Sequence, residues 1–156
     1  MIYSKDVNKA LKLMYEKHKG QVDKQGIPYV FHPFTVASSM ETEEETIVAL
    51  LHDIIEDTDM TLEDLRKFGF AEEIIESVDI LTHKENEDYA TYIKRIGDDP
   101  LARKVKIADL KHNMDITRFA DTIIPDTYFK KYEIYKESLN YLENIINNQD
   151  DIKKHM

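Results

Sequence analysis

The sequence predicts an all-α fold, a single compact multi-helix bundle. Three observations carry that expectation. Glycine and proline number only four each in 156 residues, too few for the turns of an all-β chain. Hydrophobic residues make up 42% and charged residues 33%, and apolar positions recur at helical spacing in successive segments. The length suits one domain with a real core and leaves no room for a second of ordinary size, so one domain over 1–156 is expected.

The first helical pattern covers about residues 4–18, with Ala10, Leu11, Leu13 and Met14 apolar, and stops before Gly20. A polar loop, residues 21–28, leads to Tyr29-Val30-Phe31-His32-Pro33, where Pro33 suits the first turn of a short helix and places His32 near its N-cap. After Glu41-Thr42-Glu43, acidic residues favour the start of a central helix expected to end near Thr58. Thr61-Leu62-Glu63-Asp64 reads as a capping box opening a short helix to Phe68, with Gly69 as its stop. Residues 71–81 form the next helix, and Tyr89, Tyr92, Ile93 and Ile96 mark another that ends at Gly97. Pro100 begins a helix expected to reach Thr117. Pro125 begins the last, about 125–147, whose Tyr128, Phe129, Tyr132, Ile134, Tyr135, Leu139, Leu142, Ile145 and Ile146 form an apolar stripe, with its aromatics expected to pack as core. The tail, 148–156, is polar and expected to fray.

The chain has no cysteine, which removes disulfides, thiolate metal sites and thiol nucleophiles, leaves His and carboxylate as the strong ligands, and fits a cytoplasmic protein. A net charge of −10 without a dense basic run argues against nucleic acid as a partner. No segment approaches the roughly 20 apolar residues that span a bilayer, so no membrane association is expected. Aromatic positions on the last helix would suit a homodimer, and core packing explains them equally.

The central helix carries the chemistry. Ile47, Val48, Ala49, Leu50, Leu51, Ile54 and Ile55 surround it with apolar side chains, yet His52, Asp53, Glu56 and Asp57 interrupt them and fall in one helical sector. Uncompensated ionisable groups in such a place are costly, and a bound cation is the usual compensation. Lys106, Asp109 and Asn113, at i, i+3 and i+7, share one face of the helix from Pro100. His32, His52, Asp53 and Asp109 then make two imidazoles and two carboxylates on three helical elements, a set suited to one divalent ion: manganese, iron, zinc or another.

The strings His18-Lys19-Gly20-Gln21, Gly26-Ile27-Pro28-Tyr29-Val30-Phe31-His32-Pro33, Leu50-Leu51-His52-Asp53-Ile54-Ile55-Glu56-Asp57-Thr58 and Val105-Lys106-Ile107-Ala108-Asp109-Leu110-Lys111-His112-Asn113-Met114 resemble the hydrolase domain of the RelA/SpoT family, within the HD superfamily of metal-dependent phosphohydrolases. The resemblance covers a motif core of about 9–118. It implies a stand-alone small alarmone hydrolase with an HD-domain bundle, removing the 3′-pyrophosphate of guanosine tetra- or pentaphosphate. It further implies Mn2+ held by His32, His52, Asp53 and Asp109, lowering the pKa of a bound water. Glu56 and Asp57 match the family's acidic pair, which orients or deprotonates that water and assists the leaving group. Lys106 is expected at a phosphate or carboxylate and Asn113 at the sugar. The family commonly has Arg-Lys where this chain has Asp23-Lys24. Lys24 is retained for the nucleotide, while Asp23 removes a stacking guanidinium and is expected to repel phosphates. That departure keeps two alternatives open: a phosphatase for a deoxynucleoside monophosphate or the 2′-phosphate of NADPH, and a non-catalytic nucleotide-binding protein. His18 is expected in packing, His83 on the loop surface, and His112 beside the ligands or exposed.

Overall fold

Four of the α-helices begin where a side chain accepts a free N–H group of their first turn. A computed structural model describes residues 1–120 and 122–156, and in it Ser4 caps α1 (Lys5–His18) by accepting from the Val7 amide at 3.1 Å. Thr42 and Thr61 form reciprocal capping boxes with Glu45 and Asp64, opening α3 (Glu43–Leu51) and α5 (Leu62–Lys67). Between α1 and α3 lies α2 (Phe31–Ser38). α5 stops, as expected, at Gly69, whose φ of +85° is the left-handed conformation that favours glycine. α6 (Glu72–Leu81) and α7 (Tyr89–Gly97) follow, then α8 (Pro100–Asn113), with Pro100 in its first turn and Asp99 as its cap. A 3₁₀ turn (Ile116–Phe119) connects to α9 (Asp126–Lys154). No strand occurs among the described residues, only a single β-bridge between Val22 and Pro28, so the all-α expectation is borne out.

α3 is the axis of the bundle, because residues 46–51 are all buried and it packs against α1, α2, α6 and α8. One apolar cluster runs from Val7 through α3 to Leu142 of α9. α8 packs on α2, α3, α6, α7 and α9, which puts its inner face beside the C-terminus of α3. No helix is long and apolar enough to cross a membrane among the described residues.

Five expectations are corrected. The central helix is interrupted: α3 ends at Leu51, residues 52–53 form a turn, and a single helical turn, α4 (Ile54–Asp57), restarts the spiral. The His52 ring causes this locally, since its Nδ1 bonds to the Ala49 carbonyl at 2.6 Å, the acceptor that the Asp53 amide would use in a continuous helix. α2 starts two residues before Pro33, so His32 lies inside it, and α8 ends at Asn113 rather than Thr117. α9 continues to Lys154 through the segment expected to fray. Its aromatics are core only in part: Leu142 and Ser138 are its only described buried residues, Phe129 is 53% exposed, Tyr128 lines a cavity, and Tyr135 lines that cavity while packing against the core cluster.

Candidate metal centre

Three elements converge on one point. α2 delivers His32, the break after α3 delivers His52 and Asp53, and α8 delivers Asp109. One donor atom from each of His32, His52 and Asp109 lies within 4.8 Å of the others, and all three residues are buried. His32 Nε2 is 2.9 Å and His52 Nε2 3.5 Å from Asp109 Oδ1. Asp53 Oδ2 completes the group at 3.1 Å from His52 Nε2 and 3.7 Å from His32 Nε2.

The chemistry of this donor set fits a divalent cation. His52 is turned by its bond to the Ala49 carbonyl, which can only accept, so Nδ1 carries a proton and Nε2 is the nitrogen left to face the cluster, where it could give a lone pair to a cation. Nε2 is buried without a hydrogen-bond partner: its contacts with the two carboxylates are electrostatic and not aligned for bonding. An orphaned buried nitrogen facing two carboxylates and a second imidazole is a cluster that a cation would satisfy at a stroke.

The surrounding charges are strongly coupled. Burial alone would raise Asp53, but His52 beside it outweighs that and holds its carboxyl well below the usual range. Asp109 behaves likewise, with burial opposed by Lys106 and both imidazoles. Lys106 Nζ donates to Asp109 Oδ2 at 2.8 Å and lies 5.3 Å from the Tyr92 ring centroid, so this lysine is an inward carboxylate contact, not a surface salt bridge. Burial opposes its charge, and Asp109 restores it, raising Lys106 well above its ordinary value. Asn113 Nδ2 donates to Asp109 Oδ1 at 3.1 Å. Tyr29 donates its hydroxyl to Asp53 and reaches Asp57 Oδ2 at 3.3 Å.

Glu56 and Asp57 sit on α4, beside the cluster. Burial, reinforced by the Asp53 charge, raises both carboxyls above the ordinary range, while the His83 amide, which donates to Glu56, opposes the rise there. Carboxyls poised in this way suit proton transfer closer to neutral pH.

These groups open into a cavity of about 740 Å³, within the range of small-molecule sites. Its walls include His32, Asp53, Glu56, Asp57, Lys106, Asp109 and Asn113, and also Lys24 from the polar loop. All nine residues singled out as ligands, acid-base groups or nucleotide contacts are therefore near one another, eight lining the cavity and His52 behind it.

Several lining residues carry no local signal in the sequence. Arg118, from the 3₁₀ turn, donates to Asp23 Oδ2 at 2.8 Å, and both side chains are largely buried. Asp23 is thus neutralised, which corrects the expectation that it repels phosphates, and a guanidinium lines the cavity from outside the loop. Lys131 of α9 also lines it, and the adjacent Lys24 ammonium pushes Lys131 below its ordinary value. Only the 95-residue separation closed by folding brings Arg118 to Asp23. Tyr128 and Tyr135, seven apart on α9, could have been read as a lining face rather than core. His83 is exposed on its loop, as expected, and also borders the cavity, while His18 is fully buried with Nδ1 2.9 Å from Gln21 Oε1, as a packing residue should be. His112 is half-buried against His32; burial and then the Arg118 charge push its imidazole down to about 4.

Comparison with known proteins agrees with this geometry. No family model matches the chain. It is 32% identical over 124 residues, 72% of its length, to a guanosine-3′,5′-bis(diphosphate) 3′-pyrophosphohydrolase of Aquifex aeolicus. It is 32% identical over 149 residues, 86% of its length, to the bifunctional (p)ppGpp synthase/hydrolase SpoT of Escherichia coli K12, and 36% over 138 residues, 80%, to a pyrophosphohydrolase of Haemophilus influenzae. The matches cover 18%, 20% and 20% of those relatives, so the chain spans about a fifth of their length. A solved structure of a metazoan ortholog of SpoT that hydrolyzes ppGpp superposes with a TM-score of 0.71 at 20% identity, covering 96% of this chain and 98% of that one, and it shares the fold.

Proposed function

We propose, taking as premise the chain's homology to RelA/SpoT-type proteins and its all-α HD-domain fold, that it is a metal-dependent phosphohydrolase that removes the 3′-pyrophosphate of guanosine tetra- or pentaphosphate. The observation that carries the reading is the orphaned His52 Nε2, aimed at two carboxylates and a second imidazole, just behind the wall of a nucleotide-sized cavity. His32, His52, Asp53 and Asp109 would hold one divalent ion, with Mn2+ the family's expected choice. Such an ion, when bound, supplies Lewis acidity that polarises a phosphoryl oxygen and makes water nucleophilic near neutral pH.

The remaining work falls to side chains. Asp57, with its carboxyl within reach of the Tyr29 hydroxyl, is placed to take a proton from the attacking water, and Glu56 to return one to the departing ribose oxygen. Lys106 holds Asp109 as an oriented carboxylate and adds a positive charge where phosphate arrives. Asn113 has an amide on Asp109 and lines the cavity, consistent with a sugar contact through its carbonyl. Lys24, Lys131 and Arg118 supply cations on the walls, so an acidic protein offers a locally cationic receptacle for a polyphosphate.

Because burial raises Asp57, the acid limb of the pH profile should fall away above the ordinary carboxylate range, while the raised Glu56 keeps its proton to higher pH, as a general acid must. The sign follows from the roles: a base must be deprotonated, so a raised pKa moves loss of kcat/KM to higher pH. Asp57→Asn should abolish that limb along with most turnover; an acid limb unchanged in a residually active Asp57→Asn enzyme would remove Asp57 from the role of base.

A nucleotide panel tests the substrate, with release of pyrophosphate and orthophosphate followed separately in added Mn2+. Pyrophosphate from guanosine tetraphosphate is expected. Orthophosphate from a deoxynucleoside monophosphate or NADPH would transfer the reading to another nucleotide, and binding without turnover would leave a nucleotide-binding protein.

A further inference from the structure

Metal-binding imidazoles need a partner for the other ring nitrogen, and the two here differ in kind. The Nδ1 of His52 meets a carbonyl, a one-way acceptor that admits a single tautomer. The Nδ1 of His32 meets another imidazole nitrogen, His112 Nδ1, at 2.7 Å, with the ring planes 16° apart and their centroids 4.9 Å apart, so the rings face each other edge to edge. Two facing ring nitrogens at this distance share one proton, and either can hold it. His32 Nε2 lies 2.9 Å from Asp109 Oδ1, so in the arrangement seen here it suits a donor, with His32 Nδ1 accepting from His112. A cation needs the reverse.

We propose that His112 is a positioning residue that switches the tautomer of His32, its Nδ1 accepting a hydrogen bond from the His32 Nδ1–H when Nε2 must present its lone pair to the cation. The proposal rests on His32 being a ligand, as in the reading above. Its proton balance closes without a net change. His32 gives its Nε2 proton to solvent, the proton on His112 Nδ1 crosses the 2.7 Å contact to His32 Nδ1, and His112 takes one from solvent at Nε2. Solvent is accessible to the ring, because His112 is only half-buried and borders a cleft with Thr35, Ser39, Lys111 and Asp115. No other described imidazole touches a cluster nitrogen through an ambivalent atom, so the adjustable step is confined to this pair.

The test compares wild type with His112→Phe, which keeps an aromatic ring but cannot accept, and His112→Asn, which retains an acceptor near the Nδ1 position. Zinc, being diamagnetic, allows both affinity by calorimetry and the ring-proton assignment by long-range proton–nitrogen NMR. In the zinc-loaded wild type the His32 proton should reside on Nδ1. His112→Phe should bind zinc about 10–100-fold more weakly, the range for losing an outer partner of a ligating histidine, while His112→Asn stays within about threefold of wild type. Helical circular dichroism shows whether each variant is folded, and the Asn variant keeps the comparison decisive should Phe disrupt packing. Wild-type affinity in a folded His112→Phe, equal losses in both variants, or a His32 proton on Nε2 in the loaded protein would each overturn the switch. His32→Ala separates the two levels: undiminished zinc affinity there would remove His32 as a ligand and the underlying reading with it.

Discussion

Asp53→Ala is expected to lower kcat by on the order of 10³-fold or more, since the Lewis acidity of a bound ion contributes several kcal/mol to a phosphoryl transition state and each 1.4 kcal/mol is tenfold. Asp53 Oδ2 contacts both imidazoles and accepts from Tyr29, so its loss removes a ligand and releases the hydroxyl that reaches Asp57. The fold should tolerate the change. Asp53 is 19% exposed at its side chain and occupies the turn between α3 and α4, where an alanine fits the backbone. Turnover measured beside circular dichroism and metal content separates these effects. A folded variant that retains a tenth of wild-type kcat with its metal would show that Asp53 is not a ligand that the reaction needs.

Asp109→Ala should be the most destabilising single change at the site. It strands the Lys106 ammonium, which is only 12% exposed, and leaves two buried imidazoles without their shared carboxylate. Breaking a buried pair in this one-sided way costs about 3–5 kcal/mol, a large part of a domain's 5–15 kcal/mol. Urea unfolding in chelator reads the loss free of metal linkage. Removing the partner as well, in Asp109→Leu with Lys106→Met, should recover most of it, because the cost lies in the uncompensated charge rather than in the missing bond. A loss below about 1 kcal/mol in Asp109→Ala would mean that water reaches the pair, as for surface ion pairs.

Most of the helix plan was legible because it is written locally. Thr61 with Asp64 and Gly69 bracket α5, Pro100 opens α8, and the apolar run 47–51 marks a helix buried on all sides. Ligand residues were legible through motif order, and the structure brings all four together. What was not legible depends on contacts between distant residues or on competition for one atom. The end of α3 is decided by a side chain taking the Ala49 carbonyl, which periodicity does not register. Arg118 gains its place only through Asp23, far away in sequence, and Lys131 through the docking of α9. The aromatic stripe of α9 looked like core because an apolar face does not announce whether a wall of protein or a substrate cavity will cover it.

The turn at His52 and Asp53 has a geometric consequence. Consecutive residues of an unbroken α-helix diverge by about 100° around its axis, so neighbours cannot aim at a common target. Here the spiral loses phase between Leu51 and Ile54, and His52 Nε2 and Asp53 Oδ2 come within 3.1 Å. A dipeptide thereby acts as a pincer, two jaws on a single hinge, and only two further jaws, from α2 and α8, are needed to close it. Straightening the backbone at this one place would splay the jaws apart while leaving every residue of the motif present, so the competence of the pair resides in the discontinuity as much as in the letters.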